Sequence, residues 1–118
     1  MPYVDGFILP VPKDKLDEYR KLARLAGKIW RENGALEYRE WVAEDVPHGK
    51  WTSFPRSVKL KPDETVVFAW IVYKSRKDRD RINKLAMSDP RLEKFDVSKL
   101  PFDGKRMIFG GFQKLVEA

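Results

Sequence analysis

Two segments of the chain, 63 positions apart, repeat one another: Ile8 aligns with Ile71, Asp17 with Asp80, and Lys21, Leu22 and Ala23 with Lys84, Leu85 and Ala86. In each copy an apolar strand passes through a polar break into an amphipathic helix, and a further strand-like segment follows. The chain therefore reads β-α-β twice, which predicts a ferredoxin-like βαββαβ order, an α+β fold with a four-stranded antiparallel sheet. Scaffolds of this kind serve enzymes, nucleic-acid binders and ligand sensors alike, so the fold alone assigns no reaction.

The first strand is predicted over Tyr3–Leu9, closed by Pro10 and Pro12, which lack the N–H a ladder requires. Leu16, Tyr19, Leu22, Ala23, Ala26, Ile29 and Trp30 recur at three- and four-residue spacing, giving a helix with one buried stripe that Asn33–Gly34 stops. Leu36–Val42 alternates in the manner of an edge strand. The connection from Ala43 to Glu64 is too long for an ordinary hairpin loop and is a place where function could reside. Thr65–Tyr73 is apolar on both sides, so both faces of that strand should be covered. Ser75 is placed to cap a second helix carrying Ile82, Leu85 and Ala86, which Asp89–Pro90 ends. Asp103–Gly104 then turns the chain into a last strand, Arg106–Phe112. One domain is expected over residues 1–118.

In this order the first and third strands are central. Val4, Gly6 and Ile8, with Val67, Ala69 and Ile71, are expected to form a small-residue face beneath the helices. The opposite face would then carry Tyr3, Phe7, Phe68 and Trp70, together with Asp5. Aromatics on an open sheet face would leave a patch of several hundred Å2, which monomers rarely expose. A second copy is the simplest cover, so a homodimer with Tyr3, Phe7, Phe68 and Trp70 at its interface is predicted.

Composition narrows the chemistry. With no cysteine and a single histidine, His48, the chain offers no thiolate nucleophile and no ordinary metal-ligand set, so neither a metal nor a cofactor is expected. Gly110–Gly111 lacks the following helix that a phosphate cradle needs. The absence of a leader-like or spanning apolar run reads as a soluble, cytoplasmic protein with no membrane partner. The net charge of +6 is interspersed along helix faces, predicting only weak, salt-sensitive contact with nucleic acid and no base preference.

Several stretches carry a family resemblance: Tyr3–Phe7, Glu44–Pro47 with Gly49–Lys50, Val66–Ile71, Arg79–Asp80, Met87–Arg91, and above all the twelve residues from Pro101 to Phe112. Together they resemble the YbaA-like family of bacterial proteins of unknown function, nearly end to end. That resemblance implies the dimeric α/β barrel, two ferredoxin-like sheets packed face to face, and no established activity. A Cys-Trp pair expected after Glu40 is replaced here by Trp41–Val42.

Analogy with other dimeric α/β barrel families suggests a cofactor-free oxygenase or isomerase with a pocket against the sheet, taking a small aromatic or planar ligand. Asp5 is the leading catalytic candidate, since a carboxylate between Tyr3 and Phe7 needs a cation; Arg106 or Lys105 on the last strand would supply it. Glu40 and Tyr38 could complete a proton-transfer site. Trp70 and His48 are candidate ligand contacts, although Pro47–His48–Gly49–Lys50 also reads as a turn. Two alternatives stand beside this: an RNA-binding module using Phe68–Tyr73, which lacks the basic residue and glycine at Val66–Val67, and a ligand-sensing or stress-related dimer without turnover.

Overall fold

The computed structural model describes residues 1–95 and 97–118. Four strands, β1 (Tyr3–Pro12), β2 (Glu37–Val42), β3 (Glu64–Tyr73) and β4 (Ile108–Gln113), form one antiparallel sheet in the order β2-β3-β1-β4. Helices α1 (Leu16–Glu32) and α3 (Arg76–Met87) complete the β-α-β units, with short turns α2 (Phe54–Ser57) and α4 (Pro90–Glu93) in the connections. The fold is the expected ferredoxin-like α+β arrangement. Within the chain the sheet stays open, with β2 and β4 as its edges.

Local signals explain the element ends. Gly34 adopts φ +115°, which ends α1 at the predicted place. The Ser75 side chain accepts from Asp78 N at 3.1 Å and caps α3. Two boundaries differ from expectation. Pro10 and Pro12 do not stop β1, because its pairing with β4 ends at Ile8 while pairing with β3 continues to Pro12. The prolines' missing N–H groups face the vacant side. The last strand begins at Ile108, since Gly104–Arg106 forms a 3-10 turn whose start is capped by Asp103 accepting from Lys105 N at 3.0 Å.

Both long helices pack on one sheet face. Ile29, Trp30, Ile71, Tyr73, Ile82 and Ala86 form one part of the core, and Leu9, Val11, Tyr19 and Val67 the other, with Phe7 touching both. The face assignment of β1 is the reverse of the one expected. Phe7 pairs with Ala69, Asp5 with Ile71 and Tyr3 with Tyr73, and directly paired residues share a side. Tyr3, Asp5 and Phe7 therefore lie beneath the helices, and Val4, Gly6 and Ile8 stand on the open face.

The open face is aromatic nonetheless. Phe54 from α2 packs on Phe68 (5.8 Å between centroids), Phe68 on Trp70 (5.7 Å) and Trp70 on Trp41 (5.4 Å). Across β1 and β4, Gly6 pairs with Gly110, and the Phe112 ring lies over both, 3.7 and 3.8 Å from where their Cβ atoms would stand. The small residues of β1 leave room for an aromatic on this side. The long loop thus covers part of the face through Phe54, while Phe112 remains 63% exposed, Trp41 47% and Phe68 39%.

Candidate functional site

Between α1 and the edge strand β2 lies a cleft of about 660 Å3, well within the size of small-molecule sites. Ala23 and Gly27 of α1 leave room for it, between larger residues of the same helix that line its rim. A Cβ at Gly27 would stand 2.9 Å from Tyr38 Cδ1, so glycine is what lets the Tyr38 ring lie against the helix.

Glu40 sits on the helix side of β2 in this cleft, and both of its carboxylate oxygens are taken. The Tyr38 hydroxyl donates to Oε2 at 2.6 Å and the Tyr19 hydroxyl, from α1, donates to Oε1. Burial and the Glu40 charge both push the two phenols far above their usual range. Each tyrosine therefore keeps its proton and acts as a donor, leaving the Glu40 carboxylate to accept. Arg20, Arg24, Lys28, Arg31 and Arg39 line the same cleft.

Asp5 belongs to a different cluster. It is 7% exposed, and its cation is Arg79 of α3, with Nε 3.6 Å from Oδ1; Arg106 is elsewhere. Arg79 also donates from Nη2 to the Tyr3 hydroxyl at 3.0 Å. Trp30 donates from Nε1 to Asn83 Oδ1 at 3.0 Å, and the Tyr73 hydroxyl stands 3.2 Å from the same oxygen. Burial raises the Asp5 carboxyl above its ordinary 3.8, outweighing the opposing pull of Arg79 and of hydrogen bonds from Tyr73 and Asn83. A raised folded value means that the charge opposes folding at neutral pH and ceases to do so as pH falls through that value. Asp5→Asn is accordingly expected to change stability by no more than about 1 kcal/mol at pH 7 and to remove this pH dependence. Thermal unfolding of the variant checks it; a loss of about 3 kcal/mol or more would show that Arg79 depends on the charge.

Arg106, placed in sequence beside Asp5, instead pairs with Glu64 and Asp103 at the base of the long loop. His48 is exposed in that loop; its carbonyl accepts from Arg56 Nε at 3.0 Å, which fits a turn residue. Trp70 lies on the open sheet face, its Nε1 donating to Glu37 Oε1 at 2.9 Å, near an apolar hollow of about 390 Å3 that Trp41, Phe54 and Phe68 line with it. Of the catalytic and ligand-binding candidates, only Glu40 and Tyr38 come together. Tyr19 is their unforeseen partner. It looked like one more stripe residue of α1, and its signal was a hydroxyl on a helix face otherwise made of aliphatic and small residues plus Trp30.

Residues 2–104 match the family described as "Protein of unknown function (DUF1428)". The chain belongs to this family. An uncharacterized protein YbaA from Escherichia coli (strain K12) is 50% identical over 117 residues, covering 99% of each chain. That bacterial relative agrees with the YbaA-like resemblance read from the motifs. Among solved structures, Rv0793 from Mycobacterium tuberculosis is similar with TM-score 0.60 and 18% identity, over 100% of this chain and 99% of that one. An uncharacterized NIPSNAP domain protein from Burkholderia xenovorans is similar with TM-score 0.63 and 16% identity, over 98% of this chain and 97% of that one. At such identities the likeness concerns the fold. No helix among the described residues is long and apolar enough to cross a membrane.

Proposed function

We propose that the protein is a cytoplasmic homodimer that binds a small molecule in the α1–β2 cleft, with Glu40 as proton acceptor in a cofactor-independent, isomerase-type reaction. The observation that carries this reading is the engagement of both Glu40 oxygens by Tyr19 and Tyr38 at a cleft large enough for a ligand. The two phenolic hydroxyls occupy the carboxylate and hold it in place. A ligand oxygen that draws one or both hydroxyls away frees a Glu40 oxygen to accept a proton presented there. The same hydroxyls then stabilise negative charge building on the ligand oxygen, as oxyanion donors do. The homodimer rests on the aromatic open face, which a second sheet would cover.

A fragment screen read by amide chemical shifts tests the site. Binding is expected to move resonances of the cleft-lining residues between 16 and 42. For a compound that is turned over, Glu40→Gln is expected to lower kcat by about 100-fold or more while Kd changes by less than about threefold. Shifts centred instead on Trp70 and Phe112, or none across the screen, would overturn the assignment.

A further inference from the structure

The cleft holds more positive charge than its own carboxylates neutralise. Of the five cations that line it, three are committed: Arg20 to Asp17 at 2.5 Å, Arg39 to Glu37 at 2.8 Å, and Arg31 to the carbonyls of Ala35 and Leu36. Arg24 and Lys28 are in no ion pair within 4 Å among the described residues; Glu32, one turn on from Lys28, feels its charge but is itself held by Arg91 at 2.8 Å. Being four residues apart they lie on adjacent turns of the same side of α1, about 6 Å from one another at Cβ. An ordinary solvated helix face alternates in sign, and the rest of α1 does so through Asp17, Glu18, Lys21 and Glu32. Every charged residue that α1 contributes to the cleft is a cation.

The positions also set a length. Tyr19 marks the Glu40 carboxylate along α1, and Arg24 and Lys28 follow it by five and nine residues, about 7.5 and 13.5 Å at 1.5 Å per residue. Beyond Glu40 along the helix the floor is formed by Ala23, Gly27 and the Tyr38 ring, which lies against Gly27. A molecule lying along the cleft has the Glu40 carboxylate at one end, the Ala23 and Gly27 floor along its length, and the Arg24 and Lys28 cations beside that floor.

We propose that the cleft takes a small organic anion, an aromatic or short-chain carboxylate whose charged end meets Arg24 and Lys28 while its hydroxyl or activated C–H meets Glu40. This deepens, and rests on, the reading of the cleft as the ligand site. The reverse orientation sets carboxylate against carboxylate at Glu40. Because Arg24 and Lys28 are exposed and keep their water when no anion is present, a neutral ligand is not rejected. Selectivity comes from attraction alone, so it is moderate and weakens with salt.

The test compares acids with their own amides: benzoate with benzamide, salicylate with salicylamide, and phenylpyruvate with its amide, titrated into the intact protein by calorimetry and followed by amide shifts. In each pair the acid is expected to bind about tenfold more tightly at low ionic strength, with the gap narrowing as salt is raised. The double variant Arg24→Gln, Lys28→Gln is expected to close that gap while leaving the amides' affinity and the Tm unchanged. Acids and amides that bind the cleft equally, or a gap that persists in the double variant, would overturn the anion assignment and leave the cleft reading standing. If neither acids nor amides shift any residue of α1 or β2, both fall together.

Discussion

Arg106→Ala is expected to destabilise the protein by about 3 to 5 kcal/mol, because it strands a buried carboxylate. Arg106 donates to Glu64 through both terminal nitrogens, at 2.7 and 2.6 Å, to Asp103 from Nε at 2.9 Å, and to the carbonyl of Lys59 at 3.0 Å. The Glu64 side chain is 5% exposed and also accepts from Lys61 N at 2.8 Å. This one guanidinium thus ties the end of the long loop, the start of β3 and the turn into β4 into a single joint. The Arg106 hydrogen bonds hold the Glu64 carboxyl below its ordinary 4.5. A lowered folded value contributes stability that is present above the unfolded value and lost as pH falls through the folded one. The deficit of Arg106→Ala should therefore be largest near neutrality and shrink below about pH 4.5. Urea unfolding at neutral and acid pH measures both effects. A loss under about 1 kcal/mol at pH 7 would show that the pair offsets only its own desolvation. Replacing Arg106 and Glu64 together by Met and Leu should recover most of the loss.

The ferredoxin-like order was legible because it depends on periodicity: β3 reads as a continuous apolar run, α1 as a stripe, and Asn33–Gly34 and Ser75 as punctuation. Faces were less legible, because a strand's alternation says which residues share a side and not which side. Placing Val4, Gly6 and Ile8 under the helices assumed that small residues serve close helix packing. In the structure the room that Gly6 and Gly110 provide is filled by Phe112 from the open side, and Phe7 helps join the two parts of the core. That single inversion moved Asp5 to the wrong surroundings and paired it with Arg106, although its partner, Arg79, adjoins Asp80 of the internal repeat. Glu40 and Tyr38 were reachable from β2 alone, since they alternate on one side of an edge strand. Tyr19 was not, because its meeting with Glu40 spans 21 residues and depends on how α1 crosses the sheet.

Trp70→Glu is expected to convert the proposed homodimer into a monomer of 13.9 kDa. Trp70 is the centre of the open-face ladder, in contact with both Phe68 and Trp41. A stable interface of ordinary size buries about 800 Å2 per subunit, and a four-stranded face that carries Phe68, Trp70, Trp41, Ile108 and Phe112 provides an apolar centre for one. At about 25 cal/mol per Å2, the several hundred Å2 of apolar surface there gives a gross gain of roughly 5 to 10 kcal/mol per subunit before the costs of association. The substitution removes that centre, deletes the Nε1 donor to Glu37, and sets a second carboxylate beside the first. Two such carboxylates buried in an apolar interface cost more than the remaining contacts return. The chain itself should stay folded, because its core lies on the other face among Ile29, Ile71, Tyr73 and Ile82. Sedimentation equilibrium at micromolar concentration reads the outcome, with Leu85→Glu, the same apolar-to-acid change on the outer side of α3, expected to remain dimeric. A wild-type protein that sediments as a monomer would remove the second sheet from the account. Phe68 and Trp70 would then be left as a free stacking platform, and binding of single-stranded RNA that disappears in Phe68→Ala would become the reading to pursue.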